Sequence, residues 1–123
     1  QESFIDKEIT DKKLSYSMLG DEIIYDIEKD FSDLKLAILS NQDKRISLVL
    51  FENITANIAE QLKEFDNLSA VQADISKEFL NKISDTSEIM LFASIGKTDS
   101  KTYKQVKQIL ENTKKKIIKE VLI

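Results

Sequence analysis

Proline is absent from all 123 residues of this chain, and glycine occurs only twice, at Gly20 and Gly96. These two residues supply most tight turns, so a chain that does without them is expected to consist of long helices joined by short polar connections. Histidine and cysteine are missing as well. Their absence removes the commonest general base, the thiol nucleophile and most transition-metal ligands together. The sequence therefore points to binding rather than catalysis: it offers no catalytic residue, no metal ligand set and no cofactor site.

Apolar spacing supports the helical expectation. Residues 1–19 carry Phe4, Ile5, Ile9, Leu14, Tyr16 and Leu19 at partly helical intervals, with Gly20 as a stop. From Asp21, the residues Ile24, Ile27, Phe31, Leu34 and Ile38 step by three or four and form one stripe. A polar break at 40–43 precedes a second stripe of Ile46, Leu50, Ile54, Ile58, Leu62 and Phe65. Asp66 and Asn67 then make a turn, and Leu68, Val71, Ile75, Phe79 and Ile83 form the next stripe. Asp85 with Glu88 resembles a capping box opening a short segment that Gly96 closes. The last helix opens at Asp99 or Ser100 and buries Tyr103, Val106, Leu110, Ile117 and Val121 over about 33 Å.

Amphipathic helices hide their stripes against one another, so the expected fold is all-α, an up-and-down bundle of four to five helices forming a single domain over residues 1–123. A competing reading takes the continuous apolar runs 46–51 and 89–95 as buried parallel strands, which would make an α/β domain. The scarcity of glycine and proline for the turns of such a fold sets it second.

The net charge of −4 argues against a general nucleic-acid binder. Charge is unevenly placed: residues 1–66 hold fifteen acids against eight bases, and residues 67–123 seven acids against ten bases. Seventeen lysines against one arginine, with seventeen isoleucines, suggest an AT-rich bacterial genome. No apolar run reaches the roughly 20 residues that span a bilayer, so contact with a membrane is expected only through a lipid anchor or a flanking segment.

Four constellations could carry chemistry. Gly96-Lys97-Thr98 looks like the end of a phosphate-binding loop, but Leu91 stands where that loop needs a glycine, and a helix stop is the simpler reading. Glu22, Asp26, Asp30 and Asp33 lie along one flank; without histidine this reads as a solvated acidic face. Lys101, Lys104, Lys115 and Lys119 gather opposite the apolar stripe of the last expected helix and form a basic ridge suited to an acidic partner. Tyr25 and Leu36 face away from their stripe and are candidates for a protein contact. Two glycosylation patterns, Asn53 to Thr55 and Asn67 to Ser69, read as accidents.

The stretch KQVKQILENTKKKIIK over residues 104–119, with its lysine and isoleucine bias, resembles the helical surface lipoproteins of Borrelia-type spirochaetes. The resemblance is one of style and carries no site residue. It implies a lipid-anchored domain at the cell surface, outside the cytoplasm, that binds a host protein such as a complement regulator or a matrix component. The expected function is thus a non-enzymatic helical binding module. The alternative is the ligand-sensing four-helix ectodomain of a bacterial transmembrane receptor.

Overall fold

The computed structural model describes residues 23–24, 31–51, 60–94 and 96–122. It overturns the expected all-α helical bundle. The elements run β1 (Ile23–Ile24), α1 (Phe31–Leu39), β2 (Ile46–Leu50), β3 (Leu68–Gln72), α2 (Lys77–Lys82), β4 (Glu88–Ala93), α3 (Ser100–Asn112) and β5 (Lys116–Leu122). The strands form one parallel sheet in the order β1-β5-β4-β2-β3. The fold is α/β, as the competing reading of the apolar runs had it.

The helical expectation failed for a physical reason. A strand covered on both faces shows no polar alternation and reads as a continuous apolar run, which a four-residue spacing also fits. All six residues of β4 are buried, as are the first four of β2. Ile46 and Leu50, counted as one turn apart on a helix, stand on one face of a strand, two side-chain repeats apart.

The sheet separates two cores. On one face Val49, Phe51, Ile89, Leu91 and Ala93 pack with Phe79 and Ile83 of the α2 region and with Tyr103, Val106 and Leu110 of α3. On the other, Ile46, Leu48, Met90 and Phe92 pack with Leu34 and Ile38 of α1 and with Leu62. Successive residues of β4 thus serve opposite cores, and each fully buried large side chain contributes about 1.5–3 kcal/mol.

Helix ends follow local chemistry. The Ser76 hydroxyl caps α2 by accepting from the Phe79 amide at 3.1 Å, and the Asp99 carboxylate caps α3 by accepting from the Thr102 amide at 2.9 Å. The expected last helix does not continue to Val121. It stops at Asn112, where the Lys115 amide donates back to the Leu110 carbonyl at 2.9 Å and Lys114 takes a left-handed φ of 63°. The chain then enters β5, in which Val121 is buried and Ile117 partly so.

Three further expectations change with the fold. The stripe from Leu68 to Ile83 is strand, loop and helix rather than one helix, and Ile75, counted as core, is 49% exposed in the loop. The capping box at Asp85 is not one, because Glu88 opens β4. The four-helix architecture required by the sensor reading is likewise replaced by the sheet. The first expected helix, with Gly20, lies outside the described residues, as do Ile27, Ile54 and Ile58.

A register shift in β5 sets the site below. Ile89 pairs with Ile117, but Met90 pairs with Lys119, so one residue of β5 is extra. Because strand side chains alternate, this bulge moves every later residue of β5 to the opposite face. Glu120 and Leu122 come level with Leu91 and Ala93, on the side of α3.

Candidate functional site

β2 and β4 lie side by side, yet the chain leaves β2 toward β3 and leaves β4 toward β5, on opposite sides. Connections that diverge in this way open a crevice outside the carboxyl ends of the two strands, the usual ligand position in such sheets. Here the edge carries Phe51, which follows β2, and residues 94 and 96–99, which lie in the loop between β4 and α3.

Phe51 is held from three sides. Its amide donates to the Phe92 carbonyl at 3.0 Å, its carbonyl accepts from the Gln72 side chain at 3.1 Å, and its ring lies 4.8 Å from that of Tyr103. The loop is closed on itself. The Ser94 amide donates to the Thr98 hydroxyl at 2.8 Å, and the amides of Lys97 and Thr98 donate to the Ser94 carbonyl at 3.1 and 3.0 Å. Gly96 is needed for its φ of 82°, not for space, since a Cβ there would meet nothing within 4 Å.

This geometry bears on the phosphate-loop motif. A phosphate cradle needs free amides converging on an anion, but three of these amides are already engaged. The Asp99 carboxylate also occupies the amino end of α3, accepting from both the amide and the hydroxyl of Thr102 at 2.9 Å. Leu91, where the motif lacks its glycine, is buried inside β4. The loop is a capped helix entrance.

Beside Phe51, through the Tyr103 ring, begins a buried polar network. The Tyr103 hydroxyl donates to Glu120 Oε1 at 2.7 Å, and Lys107 Nζ reaches Glu120 Oε2 at 3.1 Å. Tyr103 is fully buried and Glu120 is 3% exposed. Burial, then the charge of Glu120, then the hydrogen bond to it push the Tyr103 hydroxyl well above its ordinary pKa. With both carboxylate oxygens occupied and the phenol held neutral, the trio fastens α3 to β5.

The structure divides the predicted ridge. Lys101 and Lys104 lie on the outer side of α3, exposed and half-buried respectively. Lys115 precedes β5, and its Nζ donates to the carbonyls of Ile83 and Thr86, the first at 2.8 Å, so it braces the opposite edge of the sheet. Lys119 is half-buried within β5. Leu36 is 63% exposed on α1, across the sheet from α3, and is not brought together with the lysines. Tyr25 lies outside the described residues, as do Glu22, Asp26, Asp30 and the Asn53 pattern. Asn67 spends its side-chain amide on the carbonyls of Asn41 and Lys44, at 3.3 and 3.0 Å.

Lys97, which the sequence reading placed only in the phosphate-loop motif, joins Lys101 and Lys104. It is exposed in the loop that leads into α3, and the three side chains make no ion pair among the described residues. Tyr103 and Glu120 were also missed as a pair; no spacing rule connects a helix position to a strand position that a bulge has turned over. Among the described residues no group of three or more acids could hold a metal ion, and no helix is long and apolar enough to cross a membrane. No family model, curated protein or solved structure matches the chain.

Proposed function

We propose that this chain is a non-catalytic docking module whose binding surface is the carboxyl edge of the sheet, with Lys97, Lys101 and Lys104 receiving an acidic protein partner. The observation that carries the reading is the contrast among neighbouring lysines. Lys107 and Lys115 are engaged with Glu120 and with backbone carbonyls, whereas Lys97, Lys101 and Lys104 have no anionic partner among the described residues. Unpaired cations beside a strand-end crevice, on a protein of net charge −4, favour an anionic partner that approaches from this side.

Anchorage at a cell surface and recognition of a host protein are supported only by the resemblance of residues 104–119. A lipobox cysteine encoded upstream of Gln1 would support them; a transmembrane helix there would favour a receptor instead.

The docking surface has its own test. The on-rate of an acidic partner, isolated from serum or lysate, is measured at low and high ionic strength for the natural chain and for the triple variant Lys97→Glu, Lys101→Glu, Lys104→Glu. The expected result is faster capture at low salt and at least about tenfold weaker binding by the variant, with an unchanged melt. Binding indifferent to both salt and charge reversal overturns the assignment and makes Leu36 the next residue to substitute.

A further inference from the structure

Among the described residues β3 is an edge strand, and no strand of the sheet uses its outer backbone. The ladder to β2 is bounded by the Ile46 amide donating to the Asn67 carbonyl at 2.9 Å and the Ala73 amide donating to the Leu50 carbonyl at 2.8 Å. Residues 67, 69, 71 and 73 therefore turn their polar groups toward β2, and by alternation Leu68, Ala70 and Gln72 turn theirs outward. An outward row of this kind is a template for another strand.

Natural edges are usually blunted by lysine, proline or a bulge. β3 has none of these: its sequence LSAVQ is uncharged and its register with β2 is unbroken over five pairs. Ala70, at the midpoint, is exposed and too small to obstruct an approaching backbone. Exposed acids stand at both ends, Asp66 before the strand and Asp74 after it.

We propose that the β3 edge accepts an extended segment of a partner protein as an additional strand, with basic residues at the two ends of that segment meeting Asp66 and Asp74. Main-chain hydrogen bonds to Leu68, Ala70 and Gln72 supply affinity, and the flanking acids select the sequence. A second copy of this chain is disfavoured by charge. Two antiparallel β3 strands centred on Ala70 would set each Asp66 opposite the other copy's Asp74, a like-charge pair at either end. The surface shares no residue with the lysine site, so either assignment can fail without the other.

The probe is a capped nine-residue peptide of alternating valine and threonine with lysine at both ends, compared by fluorescence polarisation with the same peptide carrying glutamate at its ends. The lysine peptide is expected to bind, and Ala70→Pro to weaken it about tenfold. That substitution removes an outward amide and spares the ladder to β2. The double variant Asp66→Asn, Asp74→Asn should abolish the preference for lysine ends. Equal binding of the two peptides, or an Ala70→Pro variant that melts normally and binds unchanged, overturns the proposal. If Ala70→Pro fails to fold, the peptide is N-methylated on alternate residues: loss of binding supports strand addition, and undiminished binding overturns it. Concentration-dependent self-association of the natural chain through this edge overturns it in favour of a second copy.

Discussion

Tyr103 keeps its proton because every influence on it opposes a phenolate: it is buried, it faces the Glu120 carboxylate, and it donates to that carboxylate. In the unfolded chain the same hydroxyl ionises near pH 10, while in the fold it does so well above that. Its contribution to stability is therefore complete below about pH 10 and is lost as pH rises from there toward the folded value. Tyr103→Phe should cost about 1.5–3 kcal/mol at neutral pH, because a buried carboxylate loses a donor. It should also decline less steeply than the natural chain in urea melts above about pH 10. Identical alkaline slopes would show that the phenol is not held neutral. The sequence marked Tyr103 as core through its helical spacing, but Glu120 carried no mark, since a charged residue in an expected helix reads as solvent-facing. Only the one-residue slip in β5 turns it inward.

Element boundaries divide what was legible from what was not. The apolar runs 46–51 and 89–95 carried only the second reading, because their continuous apolarity also fits helical spacing, and β2 and β4 lie there; the opening of α3 at Asp99 or Ser100 could be read directly, from a capping side chain. The end of α3 could not. Its left-handed residue is Lys114 where a glycine would have announced a stop, and Ile117 and Val121 keep a four-residue spacing that mimics another turn. The helical placement of Lys101 and Lys104 was legible because Ser100–Asn112 is a helix, whereas Lys115 and Lys119 entered the ridge only through the turns that do not form. Substitution at Lys114 separates the two pictures. Lys114→Gly should stabilise the protein by about 1 kcal/mol, because glycine adopts positive φ without the side-chain penalty. In a continuous helix the same change would cost about 1 kcal/mol, so the sign of the shift in the denaturation midpoint reads out the local structure.

Both cores rest on one sheet, and β4 supplies Ile89, Leu91 and Ala93 to one and Met90 and Phe92 to the other. Damage on either side should therefore be felt by the whole described unit. Leu34→Ala and Leu110→Ala, on opposite faces and both fully buried, should each cost about 2–5 kcal/mol and lower a single shared transition. Two separate transitions, one per variant, would mean that the faces melt independently. The strand order has a further consequence, for synthesis on the ribosome. Among the described strands β1 pairs only with β5, so Ile23 and Ile24 emerge from the exit tunnel long before Glu120 and Val121, with nearly all the described chain made in between. Chains are released in that order, and a strand without its neighbour exposes an unsatisfied backbone. The nascent protein must hold its β1 segment unpaired until β5 appears, and a pause in translation before β5 is the stage at which a chaperone would have most to protect.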